Sequence, residues 1–115
     1  FELADELSDR GGTAWFYNFT RKRDGKLGAI MGAYHGAELP YVFNTHDAWL
    51  PTKEIDVVLT DDIQKYWINF TKYGDPNGAS LMQWPRYDKE TRSVLYIGDN
   101  YKIGPHYSET LCEYF

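Results

Sequence analysis

Cysteine is almost absent from this sequence. Cys112 is the single cysteine among 115 residues, and one cysteine excludes both an internal disulfide and a cysteine-based zinc site. Its thiol is therefore either buried or one half of a bridge to a cysteine outside the sequence.

Long hydrophobic runs and an initiator methionine are also missing. No stretch approaches the roughly 18 apolar residues that a membrane-spanning helix needs. The first residues, Phe1 to Leu7, lack the basic-then-apolar layout of a secretory signal peptide. These absences predict no membrane span, and we expect the sequence to begin within a longer protein.

Positive charge is in deficit. Twelve Lys and Arg stand against 17 Asp and Glu, which gives a formal net charge of −5 at pH 7. Nucleic-acid binding requires clustered basic residues, so the composition argues against a nucleic-acid partner. The basic run Arg21-Lys22-Arg23 is followed at once by Asp24-Gly25, and we interpret it as a solvated turn.

Aromatic residues, in contrast, are abundant. They make up 17% of a chain that is long enough for one domain with a modest core. Because each aromatic side chain buries a large area, this richness predicts a dense core or surfaces that close against something outside the chain.

Hydrophobic spacing predicts both helices and strands. Residues 2–9 have the pattern of a helix end, and the nearly continuous aromatic run at residues 13–20 predicts a strand buried on both faces. Further elements are predicted near the end: short strands at 84–88 and 93–98, and a last helix at 107–115.

The clearest helix is predicted from Leu59 to Tyr73, after an irregular loop at residues 44–58. Thr60, Asp61 and Asp62 supply a cap and first-turn acids, and Gly74 ends the helix. Apolar residues recur three and four positions apart along it, and we interpret its aromatic side chains as core. They are Tyr66, Trp67, Phe70 and Tyr73.

His35 is the best candidate for chemistry. It lies in residues 28–36, where three Gly and two Ala indicate close backbone approach rather than a packed strand, and residues 37–43 predict a short helix. A neutral imidazole is well suited to move protons near pH 7. The residues alone leave a hydrogen-bonded core histidine or a surface histidine as alternatives.

The other two histidines carry weaker signals. His46 lies in a polar loop and His106 follows Pro105, and both patterns favour exposed histidines. A metal site formed by His35, His46 and nearby acids is an alternative, although the spacing matches no recognised ligand pattern.

A nucleophile is missing from the sequence. None of the four serines lies in a G-x-S-x-G motif, and Cys112 has no basic neighbour that would activate its thiol. The residues alone therefore provide a potential base with nothing to activate.

Several segments together resemble the type-B carboxylesterase and cholinesterase family. Residues 32–43 read G-A-Y-H-G-A-E-L-P-Y-V-F, which resembles the family's histidine motif. Residues 59–77 read L-T-D-D-I-Q-K-Y-W-I-N-F-T-K-Y-G-D-P-N, with Thr71 where the family usually has Ala. A W-P-R-Y segment at 84–87 and the aromatic strand at 13–19 also match, so the resemblance covers nearly the whole chain in order.

The resemblance implies the C-terminal portion of an α/β-hydrolase fold. Residues 1–115 would form an incomplete part of a catalytic domain: a buried strand, the histidine loop, a long amphipathic helix, a short strand pair and a terminal helix. The aromatic side chains would pack against the preceding part of the polypeptide, so this segment alone is expected to expose apolar patches. In several family members the cysteine at the position of Cys112 bridges to an upstream cysteine, and residues 1–115 contain no second cysteine.

The resemblance also implies a serine carboxylic ester hydrolase that acts without a metal or other cofactor on an ester substrate. His35 would be the general acid and base of a Ser-Glu/Asp-His triad, with the serine and the acid upstream of Phe1. Glu38 would stabilise the site without being the triad acid. We expect this segment alone to be inactive, and the alternative is a non-catalytic, cholinesterase-like binding module.

Overall fold

The computed structural model describes residues 2–105, and these divide into two units. One unit contains the residues up to Asn18 together with those from Trp84 onward, and the other runs from Phe19 to Gln83. No helix within residues 2–105 is long and apolar enough to cross a membrane. The predicted helix at 107–115 lies outside the described residues, as do His106 and Cys112.

The first unit holds helix α1 (Glu2–Asp9) and most of a three-stranded sheet in the order β1-β2-β3. The strands are β1 (Tyr17–Phe19), β2 (Ser93–Ile97) and β3 (Lys102–Pro105). Strands β2 and β3 pair antiparallel, with Val94 opposite Gly104 and Leu95 opposite Ile103. The four residues from Val94 to Ile97 are buried and form the core of this unit.

The predicted pair of strands at 84–88 and 93–98 is half right. The second strand is confirmed as β2, but residues 84–88 form no strand. They are held against the segment before β1 by individual bonds, because Tyr87 N donates to Ala14 O at 2.7 Å and Trp84 Nε1 donates to Phe16 O at 2.9 Å. The aromatic run at 13–20 contributes only the three residues of β1, which are half-buried and not buried on both faces.

The second unit holds three helices, α2 (Gly25–Met31), α3 (Leu39–Phe43) and α4 (Glu54–Tyr73). Helix α3 confirms the short helix that was predicted within residues 37–43, with Pro40 in its first turn. Residues 25–31 form a helix that the small-residue pattern did not predict. The close approach that the pattern indicated lies inside this helix, since a Cβ on Gly28 would be 1.9 Å from the carbonyl oxygen of Arg23.

Helix α4 begins earlier than the sequence pattern predicted. It begins at Glu54, and Asp56 in its first turn accepts the N–H of Lys53 at 2.8 Å, which satisfies one free donor of the helix start. The predicted end is confirmed, because Gly74 adopts the left-handed conformation that closes many helices. Leu59, Ile63 and Tyr66 are buried along one stripe of the helix.

The aromatic residues of α4 do not all belong to the core. Tyr66 is buried, but Phe70 is 51% exposed and Tyr73 is 75% exposed. The interpretation of these two residues as core is therefore wrong for residues 2–105. Other large apolar side chains are at least half exposed as well: Leu3, Ile30, Leu39, Phe43, Trp49, Val57, Val58 and Ile68.

Candidate functional site

His35 lies on a turn between α2 and α3. Two backbone hydrogen bonds shape the turn, from Ala37 N to Tyr34 O at 3.0 Å and from Leu39 N to Gly36 O at 3.1 Å. Gly36 has a φ of 84°, which lies in the left-handed region that glycine adopts without steric cost. This turn presents His35 at an exposed position.

The imidazole of His35 has no hydrogen bond or ion pair to any other residue within 2–105. Glu38 is half-buried at the start of α3, and its backbone oxygen accepts the N–H groups of Tyr41 and Val42 at 2.9 and 3.1 Å. Its carboxylate makes no side-chain hydrogen bond at the helix cap. No bond in the described part of the chain therefore connects His35 with Glu38.

A buried polar cluster lies in the same unit as this turn. We call it the Asp56 cluster, and its members come from both sides of the turn and from α4: Arg21, Arg23, Tyr41, His46, Asp56 and Thr60. Asp56 is 0% exposed, and Arg21 and Arg23 are 5% and 9% exposed. Charged groups are found at such depth only when they are paired and hydrogen-bonded.

Asp56 accepts hydrogen bonds from three different segments. Arg21 donates through Nε at 2.9 Å and through Nη2 at 3.3 Å, Tyr41 donates its hydroxyl at 2.7 Å, and the Lys53 N–H bonds at 2.8 Å. Burial alone would raise the pKa of this carboxyl. The bonds from Arg21, Lys53 and Tyr41, with the charge of Arg23, outweigh burial and lower the pKa of Asp56 to about 2, so it is ionised at neutral pH.

Tyr41 is the centre of the aromatic contacts in this cluster. The centroid of its ring lies 4.9 Å from the ring centroid of Phe19 and 5.0 Å from that of His46, which it meets edge-on. The guanidinium carbon of Arg23 lies 4.8 Å from the Tyr41 centroid. Burial, followed by the hydrogen bond to Asp56, raises the pKa of the Tyr41 hydroxyl far above its ordinary value. The hydroxyl therefore stays protonated and keeps donating to the carboxylate.

His46 is held between Arg23 and Thr60. Thr60 uses its hydroxyl hydrogen on the backbone oxygen of Asp56 at 2.6 Å, so its Oγ1 accepts from His46 Nε2 at 2.8 Å. Arg23 Nη2 bonds to His46 Nδ1, and a guanidinium can only donate. His46 is thus the neutral tautomer with its proton on Nε2, and burial, then the Arg23 charge, lowers its pKa.

Two predictions fail at this cluster. His46 is half-buried and hydrogen-bonded at both ring nitrogens, so the interpretation as an exposed loop histidine is wrong. Arg21 and Arg23 are buried while Lys22 between them is exposed, so the basic run is not a solvated turn. Asp24, three residues away, supplies one carboxylate to Arg21 at 2.6 Å, but the buried carboxylate is supplied by α4, 35 residues after Arg21, and local sequence did not reveal that pairing.

A signal for part of the cluster is nevertheless present in the sequence. Every second residue from position 17 to position 23 is aromatic or an arginine: Tyr17, Phe19, Arg21 and Arg23. A period of two directs these side chains to one face of an extended segment. Asp56 stands three residues after Lys53, at the position where an acid reaches back to the first N–H of a helix. Tyr41 and Thr60 carry no comparable signal.

The cavity beside the cluster is small. Its volume is about 10 Å³, and it is lined partly by Tyr34 and Ala37 from the His35 turn and by Arg21 and Arg23. This is room for about one water molecule and not for an ester. Within residues 2–105, no group of three or more His, Cys, Asp or Glu side chains is arranged to hold a metal ion, and both nitrogens of His46 are already engaged.

Comparisons with known proteins agree with one another. The carboxylesterase family matches residues 1–115. A protein of Anas platyrhynchos named fatty acyl-CoA hydrolase precursor, medium chain, is 32% identical over 94 residues, which cover 79% of this chain and 17% of that protein. Carboxylesterase 5A of Mus musculus is 31% identical, with 93% of this chain and 20% of that protein covered.

Solved structures match over most of the chain as well. A PNB esterase aligns over 90% of this chain and 21% of its own length, with 28% identity and a TM-score of 0.72. An esterase from Clostridium hathewayi aligns over 97% of this chain and 22% of its own with a TM-score of 0.82 and 23% identity, a likeness of fold alone. The chain spans about a fifth of the length of the curated relatives. The family resemblance and the predicted α/β fold class are both confirmed.

Proposed function

Because the chain belongs to the carboxylesterase family, we propose that it is the C-terminal segment of the catalytic domain of a serine carboxylic ester hydrolase. Residues 1–115 form an incomplete domain in this proposal. The remainder of the same polypeptide supplies the serine nucleophile, the triad acid and the substrate pocket. The cavity beside the His35 turn and the Asp56 cluster has no room for a substrate, so the ester would bind outside it.

His35 acts as the general acid and base of this enzyme. The observation that carries the assignment is its exposed imidazole, which makes no hydrogen bond or ion pair within residues 2–105. Both ring nitrogens are thereby free to meet groups from the preceding part of the polypeptide. One nitrogen faces the serine, and the other donates to the triad acid that orients the ring.

The chemistry follows from these roles. His35 takes the proton of the serine hydroxyl as Oγ bonds to the ester carbonyl carbon, and it returns that proton to the alcohol oxygen as the ester C–O bond breaks. A water molecule then repeats the two transfers and releases the acid. Glu38 stabilises the site from the start of α3 without entering the transfers.

The exposed apolar side chains support the proposed partner. Leu3 and Ile30 are 81% exposed and Tyr73 is 75% exposed, and large exposed apolar areas mark surfaces that contact other protein. These side chains pack against the preceding part of the catalytic domain. Residues 1–115 alone are accordingly inactive, because they contain a base without the serine it activates.

Replacing His35 in the full-length protein tests the proposal. With p-nitrophenyl acetate as substrate, His35→Ala should lower kcat by at least about 10⁴-fold, because triad members act as a unit. His106→Ala is the matched control, since it removes a histidine with no predicted catalytic role. Activity of His35→Ala within tenfold of the parent, on the scale of triad losses, would contradict the assignment. A parent that neither turns over ester nor reacts with a serine-directed organophosphate would favour a binding module.

A further inference from the structure

The turn that carries His35 has little support from its own two helices. Helix α2 has 7 residues and α3 has 5, and helices this short are not stable without tertiary contacts. The two backbone hydrogen bonds of the turn close only local loops. The position of the imidazole therefore depends on how the segments on either side of the turn are anchored.

Both of those segments are anchored to the same carboxylate. On the upstream side, Arg21 binds Asp56 through two nitrogens, at 2.9 and 3.3 Å. On the downstream side, the Tyr41 hydroxyl binds Asp56 Oδ1 at 2.7 Å. Asp56 itself is fixed in the first turn of α4, which has 20 residues and is the longest helix within residues 2–105.

We infer that Asp56 is a positioning residue for His35, which it holds in place by tying Tyr41 and Arg21 on the two sides of the turn to helix α4. The catalytic consequence rests on the proposed function, but the anchoring itself does not. Glu38 is closer to His35 in sequence, yet its carboxylate makes no hydrogen bond within residues 2–105. Asp56 contacts both anchored segments directly and is completely buried.

Tyr41→Phe is the gentlest change that cuts one of these anchors. It removes the hydroxyl that binds Asp56 and keeps the ring that contacts Phe19, His46 and Arg23. In the full-length enzyme, we expect kcat per titrated active site to fall about ten- to a hundredfold, with KM within about twofold of the parent. A misplaced base slows proton transfer without changing how the ester binds.

Tyr87→Phe is the matched control. Tyr87 also donates its hydroxyl to a carboxylate at 2.7 Å, that of Asp5, and it too is buried, but it lies in the other unit. We expect this variant to lose stability and to keep kcat per active site. Comparing the two variants separates loss of a buried hydrogen bond from loss of the His35 anchor.

Hydrogen exchange provides a measurement that does not depend on activity. The amides of Ala37 and Leu39 form the bonds of the His35 turn, and they should exchange about tenfold faster in Tyr41→Phe than in Tyr87→Phe. Asp56→Asn should accelerate the same amides further. If Asp56→Asn does not fold, the exchange rates in Tyr41→Phe still decide whether the Asp56 cluster anchors the His35 turn.

The outcomes separate the two proposals. Unchanged kcat per active site and unchanged exchange in Tyr41→Phe would overturn the positioning role, even if His35→Ala abolishes activity. If His35→Ala keeps its activity, the proposed function fails, and faster exchange at Ala37 and Leu39 would still establish the anchoring. Faster exchange with full kcat would refute any effect of Asp56 on the placement of His35 in catalysis.

Discussion

Asp56→Asn should be among the most destabilising single substitutions in this chain. The carboxylate offers Oδ1 to Arg21 Nε and Tyr41, and Oδ2 to Arg21 Nη2 and the Lys53 N–H. Asparagine keeps one oxygen and turns an NH₂ group toward two of these donors. Whichever way the amide is oriented, Arg21 and one further donor, either the buried Tyr41 hydroxyl or the Lys53 N–H, lose a hydrogen bond to this side chain.

The charge change adds to the loss of hydrogen bonds. Arg21 and Arg23 are buried beside Asp56, with nitrogen to oxygen distances of 2.9 and 3.6 Å. Asparagine removes this counter-charge from both, and Arg21 keeps its pair with the half-exposed Asp24 at 2.6 Å. Removing one partner of a buried ion pair costs about 3–5 kcal/mol of unfolding free energy. We expect a loss in that range for the full-length protein.

Urea unfolding at pH 7, followed by tryptophan fluorescence, measures this loss as a shift of the midpoint. Asp61→Asn is the control on the same helix, because the Asp61 side chain is 66% exposed and pairs with Lys65 on the surface. The control should change the midpoint far less, since solvent screens such pairs. A loss below about 1 kcal/mol for Asp56→Asn, the scale of a surface pair, would refute the reasoning.

Two further predictions concern the same unit. Burial and the charge of Arg23 lower the pKa of His46 below its ordinary value of 6.5. As the pH falls, the unfolded chain therefore takes up a proton on His46 at a higher pH than the folded chain does. The stability that comes from keeping His46 neutral is complete above pH 6.5 and is lost as the pH falls through the folded-state pKa. Melting temperatures between pH 7.5 and 5 should therefore fall more steeply for the parent than for His46→Gln, and parallel curves would contradict this. Gly28→Ala places a Cβ 1.9 Å from the carbonyl oxygen of Arg23 and should lower the free energy of unfolding by about 1–3 kcal/mol, as measured by urea unfolding. Lys26→Ala, on the exposed surface of α2, is the control and should leave the urea midpoint unchanged. Equal midpoints for the two variants would refute the clash.

Helix α4 shows what periodicity predicts well. The recurrence of Ile63 and Tyr66 with their neighbours indicated the helix, and Gly74 indicated its end. Its start was misplaced because Asp61 and Asp62 resemble first-turn acids, whereas the acid that closes the helix start is Asp56. Local sequence offers two sets of acids, and tertiary pairing with Arg21 decides between them.

The Asp56 cluster shows where local sequence is insufficient. A run of basic residues is usually solvated, and that expectation holds for Lys22 and fails for its two neighbours. The alternation of Arg21 and Arg23 indicates that they share one face of the segment, but the buried carboxylate that they meet lies far along the chain, and the residues near position 21 do not identify it. His46 was misassigned for the same reason, since its partner Thr60 belongs to a helix that was predicted to begin only there.

The His35 turn was anticipated in part. Small residues predicted close backbone approach, and Gly28 provides it, but the anchoring through Tyr41 was not foreseen. The catalytic role of His35 and the supporting role of Glu38 remain predictions.

Only one of the two units is continuous in sequence, and this affects the order in which the chain can fold during synthesis. The unit from Phe19 to Gln83 is continuous, whereas the other needs residues from both sides of it. During translation, Arg21 and Arg23 leave the ribosome before Asp56, so their ion pairs with this carboxylate form only after residue 56 has emerged. Strand β2, the central strand of the sheet, begins at Ser93 and is therefore synthesised after residues 19–83. Because chains fold in segments as they emerge, we expect residues 19–83 to gain contacts with one another before strand β2 is available to the sheet.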